Sequence, residues 1–322
     1  MTRRWIHTLA IATLGLTLVL ITWGGLVHTT GSSLACPDWP LCYGKVFPEM
    51  KGSIAVEHGH RLLASLVGML TVIIAISLWR DPSVKVYPKL RRRLVTLGMA
   101  ALVLVLFQGI LGGITVIYKL PLAISSAHLA TSMVFAVIML AIAFFTRTPN
   151  KTAAVSLPVK ATTPWVGLTA LTILVQIVIG ALVRHTGSGL ACGTDIVRCA
   201  GIWWPAWGPA QLHMLHRLGA AVVFVGVTAT AGRVWWLSRI DPAQTKLRLI
   251  ARIQFALVIT QGLLGMLNIL SYLAMTSVTA HLAIGALLLC NTSLFYLVLR
   301  ASIPQANTLS SLMTPSTVKV PA

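Results

Sequence analysis

Two halves of this chain carry the same text, and histidines stand in the repeated places. Leu26 to Cys36 reads LVHTTGSSLAC, and 156 residues later Leu182 to Cys192 reads LVRHTGSGLAC. At the same offset, His60-Arg61-Leu62 returns as His216-Arg217-Leu218. Gln108-Gly109 returns as Gln261-Gly262, and Ala127-His128-Leu129-Ala130 as Ala280-His281-Leu282-Ala283, both 153 residues later. An offset that drifts by only three residues across four matches implies duplication of one structural unit. Any fold for this chain must therefore accommodate two related halves.

The solvent of those halves is lipid. With 57% hydrophobic and 10% charged residues, the composition excludes an ordinary soluble domain. Apolar runs long enough to cross a bilayer, about 20 residues each, are predicted at 9–28, 57–79, 94–116, 124–146, 163–183, 211–236, 250–270 and 276–299. The expected fold is all-α and polytopic, with eight transmembrane helices arranged as two tandem four-helix bundles. Residues 1–150 form the first, 151–300 the second, and the polar stretch 301–322 is expected to be a disordered cytoplasmic tail. Four helices per repeat return the chain to its starting side, so the repeat should be parallel, about an axis along the membrane normal.

Basic residues set the orientation. Eighteen of the 25 Lys and Arg, among them Arg3, Arg4, Arg80, Lys85, Arg91, Arg92, Arg93, Lys151 and Lys319, fall on one side. That side is read as cytoplasmic and holds both termini. The net charge of +19 is then a topology signal with anionic-lipid contact, and no soluble basic domain exists to bind nucleic acid. The first apolar run is too long for a signal peptide, and no Arg- and Ser-rich leader precedes it. A bacterial inner membrane is therefore expected.

Four of the five cysteines lie in the two long outer segments, as Cys36 with Cys42 and Cys192 with Cys199. On an oxidising face one intraloop disulfide per half is expected, as a loop staple or as a redox-active dithiol; a metal site is the weakest reading. Cys290 falls within an apolar run and reads as a buried thiol. Trp39, Trp203, Trp204 and Trp207 fit an interfacial belt or a lid over a flat ligand.

Ionisable side chains within a bilayer need a reason. His60, His128, His216 and His281 are expected about one turn into helices 2, 4, 6 and 8, each at similar depth in the outer part of the membrane. Two imidazoles facing each other inside a four-helix bundle can clamp a flat metalloporphyrin. His7, His28, His58 and His185 read as interfacial or loop residues. His213 shares a face with His216, and its counterpart at the 156 offset is Glu57. Glu57 can pair with Arg61 one turn on, or serve as a carboxylate beside a reacting ligand. The halves should therefore have diverged, one doing chemistry and the other carrying a resident cofactor. Arg61 and Arg217 are possible propionate contacts or lipid-facing cations.

The segment Glu57-His58-Gly59-His60-Arg61, the loop cysteine pairs, the TGSGLAC repeat and the AHLA histidines together resemble the haem A synthase family, over about residues 5–300. That resemblance implies an oxidoreductase that converts the C8 methyl group of haem O to a formyl group by successive hydroxylations. It implies a haem b cofactor on His216 and His281, substrate haem between His60 and His128, and Glu57 as the functional carboxylate. Haem O synthase, an unidentified electron acceptor, membrane lipid and further copies of the chain are the implied partners. The competing reading is a di-haem b membrane cytochrome that carries electrons between a quinol and a partner, with no need for Glu57.

Overall fold

The computed structural model describes residues 2–81, 87–147, 154–239, 241 and 244–304. The expected tail beyond residue 304, and Lys85, Lys151 and Lys319, expected on the cytoplasmic side, lie outside these residues. Eight long helices occupy the described chain: α1 (Thr2–Thr29), α2 (Gly52–Arg80), α3 (Pro88–Ile117), α4 (Leu122–Thr146), α5 (Thr163–His185), α6 (Gly208–Ser238), α7 (Thr245–Leu270) and α8 (Met275–Ala301). All eight are long and apolar enough to span a membrane. In lipid a helix satisfies every interior backbone group within the segment, so apolar runs of this length have no competing conformation.

Most helices begin several residues before the apolar runs do. Gly52, for example, starts α2 five residues ahead of the expected boundary, because the terminal turns sit among headgroups and loops and can be polar. Proline opens α3, α5 and α6 in the first turn, where its missing N–H costs nothing. The α3–α4 and α7–α8 connections use one device twice. Lys119 and Leu120, then Tyr272 and Leu273, have positive φ, and the amides of Leu120 and Leu273 reach back to Thr115 O and Asn268 O at 2.7 Å. Such short connections make the joined helices antiparallel neighbours.

Packing closes two circuits. α1 packs on α2, α2 on α3, α3 on α4 and α4 on α1; α5, α6, α7 and α8 do the same among themselves. The circuits meet where α1 packs on α8 and where α4 packs on α5 and α8. One apolar cluster, including Ile6, Ile74, Leu78, Leu94 and Met139, fills the first circuit. A second spans the junction, joining Ile21 and Met133 to Ile173, Val227 and Leu288. A short parallel pairing of Ala154–Val155 with Ile303–Pro304 ties the two ends of the second circuit. Beside it, Lys160 Nζ donates to the carbonyls of Leu299, Arg300 and Ser302 at 2.5, 2.7 and 2.8 Å, satisfying the free end of α8. Large apolar side chains such as Val103, Leu106, Val225 and Leu263 remain exposed along the helices, as a lipid-contacting surface requires. The protein is a multi-pass all-α membrane protein.

Candidate functional site

Both expected disulfides are present, Cys36–Cys42 and Cys192–Cys199, each closing a small ring in the segment that follows α1 or α5. Each loop is also held by one aspartate. Asp38 accepts from the amides of Tyr43 (2.6 Å) and Gly44 (2.8 Å), and Asp195 from those of Val197, Arg198 and Gly201. These amide donors favour the ionised carboxyl, chiefly Gly44 for Asp38 and Arg198 for Asp195, and hold both aspartates below the ordinary range. Cys290 is buried in α8 and free.

A single cavity of about 1210 Å³ runs between the helices at this end of the molecule. His60, His128, His216 and His281 all line it, as do Glu57, Arg61, His213 and Arg217. His60 and His128 come from α2 and α4 of the first circuit, and His216 and His281 from α6 and α8 of the second. Each imidazole packs its Cε1 edge against a glycine of the adjoining helix: Gly24 for His60, Gly112 for His128, Gly180 for His216 and Gly265 for His281. These glycines obey the same two offsets as the histidines, 156 for the first pair and 153 for the second.

Glutamines complete the surroundings and are the residues that sequence reasoning did not place. The Gln176 amide lies 2.9 Å from His216 Nδ1 and donates to His216 O at 2.7 Å. Gln261 Nε2 is 3.2 Å from His281 Nε2. Gln108 instead donates to His128 O and Thr131 Oγ1, both at 2.9 Å. The QG(I/L)LG repeat contained the signal for Gln108 and Gln261; Gln176 has no counterpart at its offset, where Leu20 stands. Both imidazoles of the second pair thus have an amide at the ring. In the first pair the amide touches only backbone and a hydroxyl.

Glu57 is buried and makes the expected ion pair with Arg61. Its Oε1 meets Arg61 Nη2 at 2.5 Å, and its Oε2 accepts from Cys36 N at 2.8 Å, while the side chain still borders the cavity. It is the one carboxylate among the cavity-lining residues. Arg61 also donates to the carbonyls of Asp38 (2.7 Å), Leu41 (2.6 Å) and Cys36 (3.1 Å). Its guanidinium therefore clamps the first disulfide loop over the pocket. Arg217 differs. Its Nη1 reaches Arg198 O at 2.8 Å, but Nε and Nη2 are buried without a partner, leaving it the freer donor.

The remaining histidines separate. His7 bonds Ala143 O at 2.9 Å. His58 turns away from the cavity and bonds Val46 O at 2.7 Å; it approaches the sulfurs of Cys36 and Cys42, which are already joined to each other. His28 and His185, expected to be interfacial or loop residues, are the last turns of α1 and α5 and line the cavity. Helical structure continues through them, so their rings turn inward. Trp39 borders the cavity, its ring against Gly113, as a lid would be; Trp203, Trp204 and Trp207 are exposed.

Paired imidazoles on the non-neighbouring helices of each circuit, between apolar walls, would suit as ligands of an iron porphyrin. The Nδ1 atoms of His60, His128 and His281 are buried with no hydrogen-bond partner, and nothing within the protein accounts for placing four imidazoles around one space.

Comparison with known proteins agrees with this geometry. Residues 7–58 and 49–293 match the COX15-CtaA family, described as cytochrome oxidase assembly protein. The chain is 32% identical over 287 residues to the haem A synthase of Symbiobacterium thermophilum, covering 86% of this chain and 89% of that protein. It is 32% identical to that of Shouchella clausii over 81% of this chain and 85% of the relative, and 28% identical to that of Bacillus pumilus over 86% and 89%. The chain belongs to the COX15-CtaA family, of the haem A synthase type, and is a membrane oxidoreductase of that class.

Proposed function

We propose that this protein oxidises the C8 methyl group of haem O to a formyl group, giving haem A, by successive hydroxylations within the membrane. Residues 1–150 act as a substrate-binding four-helix bundle and residues 151–300 as a parallel-repeat bundle holding a haem b cofactor. His60 and His128 would hold the substrate haem, and His216 and His281 the haem b cofactor. The two closed packing circuits and the 156- and 153-residue offsets support the paired bundles. The observation that carries the reading is the asymmetry of one shared cavity: a lone carboxylate, Glu57, borders it, and His213 stands in the corresponding place.

Haem iron when bound supplies the redox chemistry; the protein orients the porphyrin and manages charge. Gln176, at His216 Nδ1, would hold that ring's plane as groups hydrogen-bonded to metal-ligating histidines do, which suits a permanently held cofactor; Gln261 lies instead at His281 Nε2. His60 has no glutamine, which suits a porphyrin that enters and leaves. Glu57 Oε1 and Oε2, held by Arg61 and the Cys36 amide, take up a proton or stabilise positive charge developing at the substrate edge. Trp39 and the first disulfide loop limit water above it. Haem O is a lipid-soluble ligand, so delivery from haem O synthase through the bilayer fits a cavity between helices. An electron acceptor completes the cycle, the copies can associate, and the bias of basic residues to one side supports a bacterial inner-membrane orientation with both termini cytoplasmic.

The test is to purify the full chain with and without co-produced haem O synthase, record its spectrum, and separate its extracted porphyrins by chromatography. Haem A is expected only with the synthase. An unchanged complement of two b-type haems and no haem A would establish the electron-carrying cytochrome instead.

A further inference from the structure

The junction between the two pockets holds a second cluster that neither histidine pair uses. His28 ends α1 and Arg184 and His185 end α5, so the three come from opposite halves. The His28 and His185 rings lie 4.8 Å apart, tilted by 57°, and all three side chains line the shared cavity. Arg184 stands at the offset position of His28. Its Nε is buried with no hydrogen-bond partner. Among the described residues the ion pairs are Lys51–Glu49 and Arg61–Glu57. No protein carboxylate therefore answers this cluster.

An arginine and two imidazoles lining one cavity without an acid form an anion site, because the half-buried Arg184, whose Nε is enclosed without a partner, gains from a paired anion. The planar fork of arginine matches a carboxylate. Resting on the reading that porphyrins occupy the cavity, we propose that His28, Arg184 and His185 bind a porphyrin propionate at the boundary between the halves. The site joins the pockets through a ligand side chain, and it is distinct from the donors of Arg61, which are committed to the first loop. Either porphyrin could present the carboxylate; the chemistry recognised is the same.

The experiment titrates the purified full chain with protohaem and with its dimethyl ester, which lacks the carboxylates, following the bis-imidazole spectrum. The free acid should bind at least ten-fold more tightly than the ester, the scale of one charge-assisted hydrogen bond. Arg184→Gln should cut that discrimination by about ten-fold by weakening acid binding alone, whereas Arg184→Lys keeps part of it. His185→Gln gives a second, independent reduction. Repeating the titration in His60→Ala and His216→Ala assigns the carboxylate, since discrimination sensitive to Arg184 survives only where the contributing pocket remains. Equal weakening of acid and ester, or unchanged discrimination in both Arg184→Gln and His185→Gln, overturns the proposal. A wild-type protein giving no bis-imidazole spectrum with either porphyrin overturns the functional reading itself, and is distinguishable from those outcomes.

Discussion

Gly180 of α5 lies against the imidazole of His216 on α6 so closely that a Cβ there would come within 2.9 Å of His216 Cε1. The corresponding approaches are 3.2 Å for Gly24 and His60, 3.4 Å for Gly265 and His281, and 3.5 Å for Gly112 and His128. At Gly180, and less severely at Gly24, the neighbouring helix leaves no room for a Cβ beside the histidine ring. A ring packed on a flat backbone surface is also denied most of its rotamers, which fixes the direction of its nitrogens.

Gly180→Ala should therefore displace the His216 ring, at a cost of roughly 1–3 kcal/mol for overpacking, and reduce haem bound by the second pair. Gly112→Ala, at ordinary contact distance, should be tolerated. Soret absorbance per mole of purified protein compares them, and equal haem content in both variants would refute the packing argument.

His216→Ala should remove the resident haem spectrum, whereas His60→Ala should leave most of it. Reduced-minus-oxidised spectra of the two proteins decide. The reverse pattern would exchange the roles of the two halves.

Glu57→Gln should retain bound haem b while slowing haem A formation by about 10²-fold or more, the usual contribution of a positioned acid or base. Glu57→Ala should in addition lower the folded yield, since it leaves Arg61 buried without its partner, a loss on the order of 3–5 kcal/mol. Chromatographic quantification of haem A checks the first and detergent-solubilised yield the second. Normal turnover in Glu57→Gln would make the carboxylate purely structural.

Gln176→Leu removes the amide beside His216 Nδ1 and leaves the other ring nitrogen untouched. Loss of such a positioning group should weaken haem affinity by about 10–100-fold, with a shifted midpoint potential. Redox titration of the bound haem tests this, and an unaltered potential together with unaltered affinity would exclude a positioning role.

Acid should loosen the outer loops. Amide donors, chiefly Gly44 and Arg198, lower the carboxyls of Asp38 and Asp195 in the folded protein from the ordinary 3.8. Their contribution to loop order is thus complete above that value and is lost as pH falls through the lower folded values. Hydrogen exchange at the Gly44 and Arg198 amides should accelerate in Asp38→Asn and Asp195→Asn, respectively, at neutral pH, and protection equal to wild type would contradict the assignment.

The sequence by itself determined the eight spans, the duplication, the disulfide partners and the four recurrent histidines. Those properties follow from local hydrophobicity and from matched text, and lipid leaves an apolar run of this length little choice but a helix. Spacing also put Glu57 and Arg61 one turn apart, though it could not say that the arginine would bind the first loop while Arg217 keeps free donors. Only the tertiary structure decided that both histidine pairs open on one cavity, that glutamines from adjoining helices reach His216 and His281, and that His28 and His185 meet across the junction. Each depends on how far one helix is rotated against another. Rotation is set by side chains distant in sequence, such as glycines that permit contact and the Ile21, Met133 and Leu288 cluster that holds the halves together.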